Sequence, residues 1–271
     1  MTPDALAIAL NDADAEVVLA GIARVAENPE VVLSESSFDA LLRCLGANRK
    51  AIQRRAAEAL AAIASHDERV VAKLRTMLSH DDARMRWGVA YALGLVHEDG
   101  ALDLAAMPNL VEAMSSADGD VRWAAAELVV RLGKEHRDAV STRLLALAGE
   151  DNPNARKMAL YCLRDVGGAR DALLAIAEAC CADHHSIVRM AALSLLTRIG
   201  NPGERAANAA MGLLENDPDA GVRRCAAVAL GHLSNHSARV TEALMRAANA
   251  NGDVSMQRAA RGALARLGAT V

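Results

Sequence analysis

A segment of about 34 residues recurs along this chain and constrains its fold more than any other feature. The copies align on one residue each, called position zero here: Gln53, Arg86, Arg122, Arg156, Arg189, Arg223 and Gln257. Consecutive copies are offset by 33, 36, 34, 33, 34 and 34 residues. A period this regular predicts one supersecondary unit repeated along the chain.

Each copy has the apolar spacing of a helical hairpin. Hydrophobic residues recur one residue before position zero and seven residues after it, as in Val121 with Val129 and Val188 with Leu196. This spacing is typical of a helix that buries one face. Another apolar run lies twelve residues before position zero, at Leu144 for example, and predicts a preceding helix. Such a hairpin covers its apolar face only by stacking on its neighbours.

The repeats predict an all-α fold of about eight stacked helical hairpins. Hydrophobic residues make up 52% of the chain and aromatic residues only 2%, which favours close helix contacts built from alanine, leucine and valine. The first copy is weaker, with Glu16 where later copies carry arginine. We expect one domain over residues 1–271, with hairpins at 1–34, 35–66, 67–99, 100–134, 135–168, 169–201, 202–235 and 236–271.

The copies beginning "DGDVRWAAAELVVRLG" at Asp118 and "MQRAARGALARLG" at Met256 resemble the HEAT-like repeat of the phycobilisome-lyase type. The resemblance covers essentially the whole chain. It implies a right-handed α-solenoid in which the first helices lie outside and the second helices line a concave face. It also implies that the position-zero arginines form a structural ladder across the repeat junctions. Such repeats serve scaffolds, adaptors, lyases and a few enzymes, so the resemblance leaves the function open.

A short polar side chain stands four residues before position zero in most copies. Its oxygen is expected to accept a hydrogen bond from the free N–H groups that open the second helix. The residues concerned are Asp82, Asp118, Asn152, Asp219 and Asp253.

Residues 178–190, "EACCADHHSIVRM", hold two cysteines and two histidines, which raises the question of a metal site. The repeat register places Cys180 and Cys181 at core positions of a first helix, and His185 at the capping position. The chain has no C-x-x-C or H-E-x-x-H motif. We therefore expect core cysteines, no metal ligands and no bound cofactor.

Residues one, five, and eight or nine after position zero are expected to face the groove, because the opposite side of the helix is buried. These groove positions hold four of the five aromatic residues, and at one, five and nine they hold seven basic residues against three acidic ones. The alternative is that the tryptophans pack between neighbouring second helices. The predicted binding residues are Trp87, Tyr91, Trp123, Tyr161, Arg54, Arg131, Lys157, Arg164, Arg198, Arg224 and Arg258.

Aromatic side chains surrounded by arginine are typical of protein-binding hot spots. We therefore expect a non-catalytic scaffold or adaptor that holds a partner helix or acidic peptide in its concave groove. One alternative is a chromophore-handling subunit resembling the phycobilin lyases. A second is nucleic-acid binding, which the net charge of −4 disfavours. No nucleotide-binding or nucleophile motif is present, so we do not expect an enzyme.

The sequence also suggests a location. The first residues lack the basic segment and apolar run of a secretory signal, and no stretch of eighteen apolar residues predicts a membrane span. The five cysteines show no paired spacing. We expect a cytoplasmic protein in a reducing compartment, without membrane contact.

Overall fold

The computed structural model describes residues 3–96, 104–199, 203–233, 237–250 and 253–269. Over these residues it contains sixteen α-helices, no strand, and one 3₁₀ helix at Leu104–Ala106. The α-helices pair in chain order into eight hairpins, so the predicted number of hairpins is confirmed. The repeat boundaries predicted at 99–100, 201–202 and 235–236 lie outside the described residues.

The first four hairpins belong to one compact unit, Met1–Glu135, called the N-terminal unit here. Their helices are α1 (Pro3–Leu10), α2 (Ala15–Glu27), α3 (Glu35–Cys44), α4 (Lys50–Ile63), α5 (Arg69–Met77), α6 (Ala83–Leu95), α7 (Met107–Met114) and α8 (Gly119–Glu135).

The last four hairpins belong to a second compact unit, His136–Val271, called the C-terminal unit here. Their helices are α9 (Arg137–Leu147), α10 (Pro153–Val166), α11 (Arg170–Cys180), α12 (Ser186–Ile199), α13 (Gly203–Asn216), α14 (Ala220–His232), α15 (Ala238–Asn249) and α16 (Val254–Arg266).

In each unit the second helices of neighbouring hairpins pack against one another, and in the C-terminal unit they do so far more extensively than the first helices do. The leucine column seven residues after position zero fills these contacts. All its members are fully buried, as predicted: Leu60, Leu93, Val129, Leu163, Leu196, Leu230 and Leu264.

The predicted helix caps are present in all five hairpins. Each side chain accepts a hydrogen bond from a backbone N–H at the start of its second helix, as Asn152 does from Asn154 and Ala155. In the first hairpin the position equivalent to zero is Val18, four residues after the cap Asp14, and not Glu16. The helix begins at its cap, so the cap fixes the register where the weak apolar pattern does not.

Cys180 and Cys181 are buried, as the register predicts. Burial raises the pKa of the Cys180 thiol to about 11 and that of Cys181 to about 12, so both stay protonated at neutral pH. They act as small hydrophobic side chains. The backbone N–H of His185 donates to Asp183 Oδ1 at 2.8 Å, so Asp183 shapes this turn.

The arginine ladder joins hairpins at two junctions of the C-terminal unit. Arg189 donates from Nη1 to the carbonyl oxygen of Asp183 at 2.7 Å, in the turn of its own hairpin. From Nε and Nη2 it donates to the carboxylate of Asp217, in the next hairpin, at 2.7 and 2.8 Å. Arg156 holds the carboxylate of Asp183 in the same way, at 2.8 and 3.0 Å. Two parallel charge-assisted bonds therefore fix each of these junctions.

Gly88 marks a close approach of α6 to the end of α3. A Cβ atom there would overlap the carbonyl oxygen of Leu45 and lie 2.9 Å from its carbonyl carbon. Alanine normally favours a helix over glycine by about 1 kcal/mol. We nevertheless expect Gly88→Ala to lower the free energy of unfolding by about 1–3 kcal/mol, because backbone atoms would have to move.

Gly94, on the same helix, is the matched control. Among the described residues, one atom lies within 4 Å of a Cβ at Gly94, Leu128 Cδ2 at 3.9 Å, so Gly94→Ala should leave stability unchanged or raise it slightly. Urea denaturation followed by circular dichroism measures both changes. Equal effects of the two substitutions would contradict the close approach.

Candidate functional site

A groove of about 510 Å³ lies between the second helices of the last three hairpins, α12, α14 and α16. Six of its lining residues stand one, five, or eight or nine residues after position zero, where the sequence predicts groove residues. These lining residues are Met190, Ser194, Thr197, Arg224, Val228 and His232.

The floor of this groove is apolar. Leu193 and Ala229 are buried beneath it, and Met190 is half-buried beside them. Val228 is 39% exposed, a large apolar surface for a side chain in the middle of a helix. Burial raises the pKa of the Cys225 thiol, so this lining residue is also a neutral, weakly polar group at neutral pH.

The rim of the groove is basic. Arg198 and Arg258 are exposed and adjoin the lining residues Thr197 and Ala259 along the chain. Neither guanidinium forms a hydrogen bond or ion pair with the described part of the chain. Arg224 lies 3.7 Å from Asp253 Oδ2, a distance that leaves this partly exposed pair weak. Uncompensated positive charge therefore flanks the apolar floor.

The preceding hairpin contributes two of the predicted residues beside this groove. Arg164 Nη1 donates to Ser194 Oγ, a lining residue, at 3.2 Å. The guanidinium carbon of Arg164 lies 5.5 Å from the centre of the Tyr161 ring, and its other nitrogens bind Asp165 at 3.0 and 2.9 Å. Tyr161 is half-buried, and burial raises its pKa. Lys157, on the same helix α10, is also half-buried.

Trp87, in the N-terminal unit, is buried, with 7% of its surface exposed. Its ring stacks on the Tyr91 ring, with centroids 5.3 Å apart and planes inclined by 5°. Lys50 Nζ lies 5.1 Å from the Trp87 ring centroid and also pairs with Asp120. The prediction of an exposed Trp87 is therefore wrong. The Trp87 ring packs against Tyr91 of the same helix, and Lys50 from the preceding hairpin covers it.

Trp123 and Arg54 are exposed, as expected for groove positions. Trp123 has 50% of its surface accessible. The two tryptophans thus occupy equivalent repeat positions with opposite exposures.

Arg131 has a structural role that the register does not show. Its guanidinium donates to the carbonyl oxygens of Leu93, Gly94 and Val96 at 2.8–3.1 Å. These are carbonyls of the last turn and end of α6, which lack partners within their own helix. Partial burial lowers the Arg131 pKa. Arg131 therefore caps a helix and is not a free groove cation, contrary to the prediction.

A second hollow, of about 690 Å³, lies between the first helices α11 and α13 of the C-terminal unit. Its lining includes Asp171, Glu178 and Glu204, and an ion pair of 2.9 Å joins Glu178 to Arg205. The sequence does not predict this hollow, because the exposed faces of the first helices follow no repeated pattern.

Neither a metal centre nor a membrane span is found in the described residues. No three His, Cys, Asp or Glu side chains in those ranges lie together as a possible metal site. None of the described helices is long and apolar enough to cross a membrane.

Comparison with known proteins identifies the repeat. A family model described as HEAT repeats matches residues 38–107, 107–197 and 173–265, which is most of the chain. No curated protein matches the sequence. The phycobilisome-lyase subtype stays a prediction, because the match is to HEAT repeats in general.

Solved structures show the same fold. Kap121p bound to Nup53p superposes with a TM-score of 0.71 at 13% identity, over 98% of this chain and 33% of that one. Kap121p bound to Ste12p gives the same four values. Yeast importin-beta (Kap95p) gives a TM-score of 0.68 at 13% identity, over 97% of this chain and 40% of that one. The chain thus spans a third of the length of Kap121p, and the likeness shows an α-solenoid fold.

Proposed function

We propose that this chain, which belongs to the HEAT repeat family, is a non-catalytic scaffold that holds a partner peptide or helix in the groove between α12, α14 and α16. The observation that supports the proposal is the combination of an apolar floor at Val228 with Arg198 and Arg258, whose guanidiniums have no partner in the part of the chain that the structure describes. Apolar anchors with charged surroundings are the usual basis of peptide recognition.

The solved relatives support a protein partner. Kap121p has been solved bound to Nup53p and to Ste12p, so a solenoid of this fold holds other proteins. The sequence of the present chain is far from theirs, so its partner is inferred from its own groove.

The chemistry of the groove indicates an acidic partner segment. A groove of about 510 Å³ has room for a small number of apolar side chains, and not for a folded domain. Exposed arginines on the rim favour carboxylates next to those anchors, and Arg forms two parallel bonds with a carboxylate. The partner segment is therefore short, with apolar residues on one face flanked by Asp or Glu.

A peptide selection tests this function. A displayed library of random 16-residue peptides is selected on the protein, and the enriched peptides are measured by isothermal titration calorimetry. We expect acidic peptides with apolar anchors, and a loss of affinity of about tenfold or more for Val228→Glu, because burying a valine side chain contributes roughly 1.5–3 kcal/mol. Charge reversal at Arg198 or Arg258 should also weaken binding, more so at low salt.

Matched controls change residues of the same unit that do not line the groove. Val254 is 67% exposed, so Val254→Glu adds the same charge at another exposed valine. Arg239→Glu reverses an exposed arginine on the first helix α15. Enriched peptides whose affinity falls equally in these controls, or a selection that enriches no peptide, would refute the groove as the binding site.

The other functions expected from the sequence differ in their chemistry. A phycobilin-type chromophore or a nucleic acid would bring propionates or phosphates to the arginines, but the apolar floor suits aliphatic side chains better. We also propose the cytoplasm as the location, because the five cysteines show no paired spacing.

A further inference from the structure

The ladder of position-zero arginines has a regular anion partner. At the two complete junctions, the carboxylate that meets the guanidinium belongs to the residue six before position zero of the next hairpin. Asp183 meets Arg156 in this way, and Asp217 meets Arg189.

Ser116 occupies this place at the junction between the third and fourth hairpins. Its carbonyl oxygen accepts from Arg122 Nη1 at 2.6 Å, as that of Asp183 accepts from Arg189 at 2.7 Å. Its side-chain oxygen accepts the backbone N–H of Asp118 at 3.1 Å, the bond that Asp183 Oδ1 makes to His185. Ser116 is therefore the structural equivalent of the ladder carboxylates, with a neutral hydroxyl in their place.

The arginine facing this junction is incompletely paired. Arg86 Nη1 donates to the carbonyl oxygens of His80 and Asp81 at 2.6 and 2.9 Å, like the other ladder arginines. Arg86 Nε, like Arg122 Nε, is buried and has no hydrogen-bond partner among the described residues. In Arg156 and Arg189 this same atom donates to a carboxylate. A buried N–H group without an acceptor is rare, so the junction lacks an anion that its geometry can hold.

We propose that the Arg86–Ser116 junction is a site for a phosphoryl group. Two sources can supply it: free inorganic phosphate, or phosphorylation of Ser116. In phosphorylation, a protein kinase transfers the γ-phosphoryl group of a nucleoside triphosphate to Ser116 Oγ, and the nucleoside diphosphate and the hydroxyl proton leave. Either source places a dianion beside Arg86 Nε, where the guanidinium donates charge-assisted hydrogen bonds to its oxygens. Ser116 lies in the turn between α7 and α8 and is half-buried.

The first arm of the test uses inorganic phosphate. The melting temperature of the whole chain is measured in phosphate and in chloride at equal ionic strength. If free phosphate is the source, phosphate raises the melting temperature of the natural protein. Ser116→Asp should raise it without phosphate, because the carboxylate fills the junction, and should abolish the response to phosphate. Arg86→Lys removes Nε and should abolish both effects.

The second arm uses protein in which phosphoserine is incorporated genetically at position 116. We expect a melting temperature about 2–4 °C above that of the serine protein. Phosphoserine at position 115 is the matched control, because Ser115 does not stand at the ladder position and its hydroxyl donates to the carbonyl oxygen of Val111. Stabilisation in one arm alone identifies the source of the phosphoryl group.

The proposal fails if neither arm gives stabilisation beyond that seen in the controls. It also fails if Ser116→Asp stabilises the protein but phosphate and phosphoserine do not, since the junction then accepts only a carboxylate. If Arg86→Lys does not fold, the Ser116→Asp variant still tests the site. Its melting temperature should not respond to phosphate, whereas that of the natural protein should.

Discussion

Trp87→Ala is expected to lower the free energy of unfolding by about 3–5 kcal/mol, the cost of removing a large buried aromatic side chain. The ring has 7% of its surface exposed, stacks on Tyr91 and lies beneath Lys50. Its loss leaves a cavity and removes the ring–ring and cation–ring contacts together.

Trp123→Ala is the matched control for this prediction. It sits at the same repeat position on α8 and has 50% of its surface exposed, so it should cost about 1 kcal/mol or less. Urea denaturation followed by circular dichroism gives both values. Similar costs for the two substitutions would contradict the difference in burial between the two tryptophans.

Asp217→Ala is the second substitution with a large expected effect. The Asp217 carboxylate is 2% exposed and holds Arg189, whose side chain is 10% exposed, through two hydrogen bonds. Removing one partner of a buried ion pair leaves the other charge uncompensated, which costs about 3–5 kcal/mol.

Two further variants separate charge pairing from other effects of Asp217→Ala. Glu215→Ala breaks the exposed pair with Arg246 in the same unit and should cost less than about 1 kcal/mol. Adding Arg189→Met to Asp217→Ala should recover part of the lost stability, because no buried charge then remains unpaired. If the double variant is less stable than Asp217→Ala by the full cost of Arg189→Met, the two residues are not coupled.

The fold could be predicted from the sequence because its determinants are local. The leucine at seven after position zero and the cap at four before it each depend on a single helix, and both occur as expected, in Leu196 and Asp219 for example. Both positions recur in successive copies of the repeat, so each copy supports the prediction made from the others. The register predicted for the first hairpin is wrong: its apolar pattern is weak, and its position-zero residue is Val18 and not Glu16.

The site could be predicted only in part, because exposure depends on neighbouring hairpins. The direction of the Trp87 ring is set by Tyr91 and Lys50, and the register of α6 alone does not determine it. Arg131 stands at a groove position, but its guanidinium donates to carbonyl oxygens at the end of α6. Whether it can reach them depends on the distance between α6 and α8, which the sequence does not give. Cys225 also lines the groove. It stands two residues after position zero, which is not one of the positions predicted to face the groove.

The distribution of aromatic residues between the units affects how the protein can be observed. Both tryptophans belong to Met1–Glu135, whereas Tyr161 is the only aromatic residue of the C-terminal unit. Intrinsic indole fluorescence therefore monitors the N-terminal half alone. A denaturation curve recorded that way would be blind to the unit that carries the groove, and a tryptophan introduced on α14 would serve as its reporter.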